Sequence, residues 1–391
     1  MNAVLDAHCW AEIDLDALVH NFRLIQQRAG TAAVCAVVKA DAYGHGDSIT
    51  ARTLAEAGAA WFAVSSLAEA RHLRRGGIVQ PILILGMTRP ECAAELAGEG
   101  VVQAIYSPEY ARALSMSAES AGVVVEGHLK IDTGMGRIGF GARRDPESAA
   151  AAALECRRLK GLNITGAFQH FSVADSLSAE DVLYTEEQYT LFRWVVERLE
   201  SAGPLKTLHC SNSAGLAGHP EWSCGMVRAG VILYGQDPSD EVRFPGLRPV
   251  MTVKSVVSQV KDLAPGDCVG YGRTYTAERP LRAATLCCGY ADGYPRLLSN
   301  LGTAAICGKA APVIGRVSMD QVVVDASAIP EAAAGDEAVL LGEAPADSFA
   351  QAAAKSGTIS YELLCAVARR VPRVYFRGGK VVGVLDYLAQ E

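Results

Sequence analysis

Apolar residues gather in short runs spaced along the first 235 positions of the chain. Eight stand out: AVCAVVK (33–39), WFAVSS (61–66), PILILG (81–86), VVQAIYS (101–107), VVVEGHLKID (123–132), ITGAFQH (164–170), LKTLHCS (205–211) and MVRAGVILYG (226–235). Their length and composition predict strands. Between most of them apolar residues return at helical period opposite a charged face, as in SITARTLAEAG (48–58), LAEARHLRRGG (67–77), PEYARALSMSAES (108–120) and EEQYTLFRWVVERLESAG (186–203). Those segments predict helices, as does the Ala-rich SAAAAALE (148–155). A strand followed by a helix, eight times over, is the arithmetic of an α/β protein with an N-terminal (β/α)8, TIM-like barrel. A doubly wound open sheet shares the alternation. It would place a Gly-x-Gly-x-x-Gly turn after a strand, however, and the glycine cluster GMGRIGFG (134–141) lacks that spacing.

After about residue 240 the texture changes. Short runs, VKSVVSQV (253–260), RAATLCCGY (282–290), AAICG (304–308), PVIGRV (312–317), DQVVVDA (320–326) and DEAVLLG (336–342), alternate with Gly, Pro and Asp turns. That pattern predicts a second, mainly β C-terminal domain. Pro245 and Gly246 in RFPGLRP offer a joint, giving expected domains at 1–244 and 245–391.

A chain of 391 residues, 50% hydrophobic and 20% charged, can bury a sizeable core and fill two domains. Its net charge of −7 gives no electrostatic case for nucleic acid or an anionic membrane as a partner. Asp6, Glu12 and Asp14 stand where a secretory signal would need a basic start and an apolar core. No apolar run approaches the ~20 residues that cross a bilayer. The 11 cysteines are odd in number and scattered, several inside apolar runs, which suits reduced thiols in a cytoplasmic protein. With no C-x-x-C and no H-x-x-x-H among eight histidines, no metal site is expected.

Lys39 closes an apolar run in AVVKADAYGHG (36–46). Burying an ammonium costs on the order of several kcal/mol unless it is paired, neutralised or modified, so the side chain either reaches past the strand end into water or does chemistry. In a (β/α)8 barrel functional residues cluster at the C-terminal strand ends. Lys39 ends the first strand, Lys130 and Asp132 the fifth with Arg137 just beyond, and His170 the sixth; His209 to Ser213 follow the seventh and Arg228 lies in the eighth. Their convergence on one rim points to a site. A lysine in an apolar wall has its amine form favoured and can condense with an aldehyde, of which pyridoxal phosphate is the common one. Candidate phosphate partners lie at Tyr43, Ser213, the RAG turn before Val231, and Tyr361 in ISYELLC.

The motifs AVVKADAYGHG, KIDTGMGRIG (130–139), HCSNSAG (209–215), VRAGVILYG (227–235), GYGRTY (270–275), CGYADGYPR (288–296), GRVSMDQ (315–321) and ISYELLC (359–365), in this order, resemble the alanine racemase family over nearly the whole chain. The resemblance implies a pyridoxal 5'-phosphate enzyme of barrel plus β domain that interconverts L- and D-alanine. It also implies a homodimer with shared sites and a D-alanine supply for cell-wall peptidoglycan. Lys39 resembles the lysine that carries the cofactor and acts as base on one face of the substrate carbon, and Tyr271 the base on the other. Tyr43, Ser213, the backbone of Gly230 and Tyr361 resemble phosphate ligands. Arg228 resembles the arginine at the pyridine nitrogen, and His170 its neighbour in a network reaching Tyr271. Arg137 and Met319 resemble the substrate-carboxylate contacts. Lys130 resembles the lysine that orients the arginine, as a carbamate in many members; an unmodified Lys130 paired to Asp132 fits the sequence equally well.

Racemisation removes the α-proton from one face and returns one to the other, so two bases flank the carbon. The nearest alternative is a serine or broad-specificity racemase, since a pocket discriminates one hydroxyl by only about 1–3 kcal/mol. An amino-acid decarboxylase on the same scaffold generally has a carboxylate where this chain has Arg228, and a single-barrel pyridoxal-phosphate-binding protein leaves residues 245–391 unexplained.

Overall fold

The computed structural model describes residues 7–389, so Asp6 lies outside the described residues. The chain divides into two compact units. One comprises Val19–Ala42 and Asp47–Leu247; the other takes the described residues up to Leu18, Tyr43–Gly46, and those from Arg248 onward.

In the first unit all eight expected strands form. They run parallel in the order Met226–Ala229, Ala33–Val37, Trp61–Val64, Ile82–Ile84, Val101–Ile105, Val125–Asp132, Leu162–Phe168 and Thr207–His209. The two end strands are tied by Gly225 N–H to Leu208 O and Arg228 N–H to Ser211 O, each 3.0 Å, so the barrel is nearly closed. The strands read as unbroken apolar runs because both faces are covered: Ile82, Leu83 and Ile84 are all wholly buried. The helices carry local start signals. Ser107 caps Pro108–Ser120, Asp145 caps Pro146–Cys156, and Ser66 with Glu69 forms a capping box on Leu67–Arg75.

The second unit is built around the long strand Met251–Leu263, which pairs antiparallel with Cys9–Asp14, Glu337–Leu341 and Leu281–Leu286. Cys9–Asp14 also pairs in parallel with Arg373–Arg377, so residues near the start of the chain complete the C-terminal sheet. Leu263, Val269, Ala277, Leu281, Ala283 and Ile314 form one of its apolar clusters. Two helices, Phe349–Ser356 and Ser360–Ala366, join these strands.

Three expectations are corrected in detail. The run 312–317 is mostly loop, its strand being Lys309–Pro312, because Gly315 adopts φ +77° beside Val269 O. MVRAGVILYG is strand only to Ala229, and Val231–Tyr234 is a 3-10 turn. The first barrel strand ends at Val37, two residues before Lys39. Among the described residues no helix is long and apolar enough to cross a membrane, and all eleven cysteines are outside disulfides.

Candidate active site

Lys39 opens a helical turn, Lys39–Gly44, of unusual hand: Ala40, Asp41, Ala42 and Tyr43 have φ between 53° and 56°. A left-handed turn of residues bearing Cβ costs roughly 1–2 kcal/mol per residue, so its surroundings must hold it. Ala42 N–H donates to Val38 O at 3.0 Å, and Asp41 Oδ1 accepts Asp47 N–H at 3.0 Å. Glu69 Oε1 accepts Ala40 N–H at 2.8 Å, while its Oε2 takes Ser65 N–H and Ser66 N–H at 2.6 and 3.1 Å. The capping-box carboxylate therefore also fixes the residue after Lys39, a role the sequence pattern does not disclose.

Arg228, 3% exposed on the eighth strand, is the electrostatic centre of the barrel site. Nη1 donates to His209 Nδ1 (2.8 Å) and His209 O (3.1 Å); Nη2 donates to Gln169 O (2.8 Å), Cys210 O (3.1 Å) and His170 Nδ1 (3.3 Å). No carboxylate pairs with it among the described residues, and burial pulls its pKa down to about 10. The five bonds use Nη atoms alone, and Nε–H has no acceptor among the described residues. A buried guanidinium with one uncommitted donor suits a ring-nitrogen acceptor on a bound cofactor.

Because Arg228 donates to Nδ1 of both His170 and His209, each ring is neutral with its proton on Nε2. Burial, followed by the charge of Arg228, holds both imidazoles well below their usual range; Lys130, Arg137 and Lys39 add to the effect on His170. His209 Nε2–H then donates to His128 Nδ1 at 2.9 Å, ending a three-residue buried chain. His170 Nε2 lies 3.5 Å from Asn212 Nδ2, an amide nitrogen that cannot accept its proton, so that proton stays uncommitted there. His209, His128 and Gln169 support the site in ways the sequence does not reveal, since their roles follow only from the position of Arg228.

Lys130 is 3% exposed and donates to Ile131 O at 2.8 Å. Burial lowers its pKa to about 7, Asp132 opposes this, and Arg228 and Arg137 add to it. The side chain of Asp132 instead accepts Gly134 N–H and Gly136 N–H at 3.1 Å, shaping the loop that carries exposed Arg137. Ser213 Oγ accepts Gly230 N–H at 3.1 Å, placing two expected phosphate partners side by side.

The other four expected residues belong to the second unit. Tyr43 and Tyr361 approach with ring centroids 6.4 Å apart. Burial, then Tyr361, raises the pKa of Tyr43, which keeps its hydroxyl protonated. Tyr271 is 73% exposed on a turn set by Gly270 and Gly272, both at φ +70°, and Met319 is 52% exposed. The loop of Met319 is braced: Tyr290 N–H and Ala291 N–H donate to Ser318 O and Met319 O, each 3.0 Å. Arg370 bridges Asp292 at 2.7 Å and Asp320 at 2.6 Å.

Residues 13–238 match the model of the alanine racemase N-terminal domain, and residues 250–375 that of the alanine racemase C-terminal domain. An alanine racemase of Desulfovibrio desulfuricans is 44% identical over 375 residues, 95% of this chain and 98% of the relative. The solved alanine racemase of Clostridium difficile 630 has a TM-score of 0.92 at 37% identity, with 98% of this chain and 100% of that chain covered. The structure from Bacillus anthracis with bound L-Ala-P has a TM-score of 0.89 at 33% identity, with 98% and 99% covered.

Proposed function

The chain belongs to the alanine racemase family, and from that premise we propose that it interconverts L- and D-alanine with pyridoxal 5'-phosphate carried on Lys39. The observation that carries the cofactor assignment is Arg228, buried, unpaired with any described carboxylate, and with Nε–H left to donate. When bound, pyridoxal phosphate supplies an electron sink for the bond broken at the α-carbon, and an arginine that cannot yield its proton to the ring keeps that sink weak. Such restraint favours proton exchange over decarboxylation or transamination.

The chain's own groups divide the remaining work. Ser213, the backbone of Gly230, Tyr43 and Tyr361 bind the phosphate. Lys39 Nζ takes or returns the α-proton on the D-alanine face, and Tyr271 Oη on the L-alanine face. His170, neutral and with its proton on Nε2, donates toward Tyr271 Oη and stabilises the negative charge that oxygen carries as a base. Arg137 and Met319 hold the substrate carboxylate. Lys130 orients Arg137 as a carbamate, a reading supported by burial pulling its amine pKa down toward the free-amine form that attacks carbon dioxide and by Asp132 being engaged with loop N–H groups.

Tyr271 and Met319, exposed in their own unit, act in the barrel of a second copy in a homodimer. The enzyme works in the cytoplasm and supplies D-alanine for peptidoglycan. A racemisation assay across the amino acids with chiral detection tests the reading. Alanine turning over fastest is the expected result; serine ahead of alanine would make the broad-specificity alternative correct.

A further inference from the structure

Two thiols with no part in this chemistry face each other in the barrel unit. Cys210 and Cys224 stand 3.7 Å apart, Sγ to Sγ. Cys210 follows the seventh strand, is wholly buried, and lies 2.7 Å from the Trp222 carbonyl, which competes with Cys224 Sγ for its single S–H. Cys224 is half-buried, precedes the eighth strand, and sits at φ +54° in a left-handed bend. The intervening chain is a compact loop of one short helix, Ser213–Gly218, and one 3-10 turn, Pro220–Trp222.

The two sulfurs are chemically unequal. The Cys210 S–H, with Arg193 and Arg228 nearby, holds the Cys224 thiol below the usual range against the effect of burial, whereas Cys210 is held well above it. Cys224 is thus the nucleophile, reachable from solvent, and Cys210 a protonated partner waiting within van der Waals distance.

We propose that Cys210 and Cys224 are a hydroperoxide-reactive pair that closes to a disulfide and thereby moves the cofactor arginine, Arg228. In the first step the Cys224 thiolate attacks the peroxide; an S–O bond forms, the O–O bond breaks, and the departing alkoxide or hydroxide takes a proton to leave as alcohol or water. Cys224 is oxidised by two electrons to a sulfenic acid and the peroxide is reduced by two. In the second step Cys210 loses its proton and attacks the Cys224 sulfur; the S–S bond forms, the S–O bond breaks, and hydroxide leaves with that proton as water. The sum is two thiols and one hydroperoxide giving one disulfide, one alcohol or water, and one water.

A disulfide requires an S–S distance of about 2.05 Å, so the sulfurs must close from 3.7 Å and Cys210 must release the Trp222 carbonyl. That motion acts on the backbone that holds the arginine: Cys210 O accepts Arg228 Nη2 at 3.1 Å and Ser211 O accepts Arg228 N–H at 3.0 Å. Closure is therefore expected to lower racemase activity reversibly. The coupling to activity rests on the function proposed above; the dithiol chemistry does not.

The test titrates the holoenzyme with hydrogen peroxide and follows intact mass, peptide mapping and racemisation together. The expected result is a loss of two hydrogens, a Cys210–Cys224 linked peptide, an activity loss of at least about tenfold that tracks the link, and recovery of both with dithiothreitol. Cys210→Ser should stop at a Cys224 sulfenic acid trapped by dimedone, and Cys224→Ser should keep its activity through the peroxide treatment. Peroxide consumption with no 210–224 link in the wild-type protein, or a sulfenic acid on another cysteine first, would overturn the pair. Complete linkage with unchanged racemisation would overturn the coupling to Arg228. Link formation in a protein that never racemised alanine would leave the pair standing and count against the proposed function instead.

Discussion

The Glu69 carboxylate accepts the backbone N–H of Ala40 at 2.8 Å, fastening the residue after Lys39 to the start of the helix Leu67–Arg75. With Ala40 to Tyr43 left-handed, that bond sets where the Lys39 side chain departs from the barrel wall. Glu69→Ala leaves three N–H groups without this acceptor, at Ala40, Ser65 and Ser66, and is expected to destabilise the barrel by about 2–3 kcal/mol in urea unfolding. It should also weaken pyridoxal-phosphate binding in a titration of the apo-protein, with Glu69→Gln intermediate in both. Unchanged cofactor affinity in Glu69→Ala would show that the turn holds itself.

Much of the fold and the candidate site is legible in the sequence, and the boundary of legibility has a physical cause. The eight barrel strands are visible because burial on both faces leaves continuous apolar runs such as ILI at 82–84. The second unit is less so: Cys9–Asp14 pairs with strands hundreds of positions away, and such pairing leaves no local trace. The left-handed turn is invisible because Ala, Asp and Tyr carry no strong preference for that region. Ser66 and Glu69 spell a capping box, but nothing in the spelling says that the carboxylate has a third donor at Ala40. In the sequence His209 is only a polar residue near the rim, and its function as acceptor for Arg228 emerges once both side chains are placed.

Lys130 gives a pH signature of known sign. Its folded-state pKa of about 7 lies below the ordinary 10.5, so between those values the unfolded chain binds the proton and the folded one does not. Stability must therefore rise with pH across that window, by an amount on the order of 5 kcal/mol for the full shift. In carbon-dioxide-free buffer, urea unfolding between pH 7 and 10 should show that rise, and Lys130→Met should lack it. With 13C-bicarbonate present, a carbamate carbon signal should appear in the wild type and vanish in the variant. Its absence in the wild type would leave Lys130 an unmodified amine.

Borohydride reduction of the holoenzyme should fix the cofactor to a single peptide containing Lys39, and Lys39→Ala should give no such adduct. Mapping to any other lysine would remove Lys39 from its assigned role.

Shared sites make a quantitative forecast for mixed dimers. Lys39→Ala and Tyr271→Phe, each inactive alone, form half their dimers mixed when subunits exchange at random, and each mixed dimer holds one intact site. The mixture should recover about a quarter of wild-type activity. A mixture no more active than its components would mean that each chain builds its own site.

The two-base assignment is tested most directly by single-turnover deuterium washout from Cα-deuterated L-alanine and D-alanine in Tyr271→Phe. If Tyr271 serves the L face and Lys39 the D face, washout from L-alanine should collapse by orders of magnitude while washout from D-alanine persists. Equal loss from both enantiomers would contradict the assignment of Tyr271 as a base for one face.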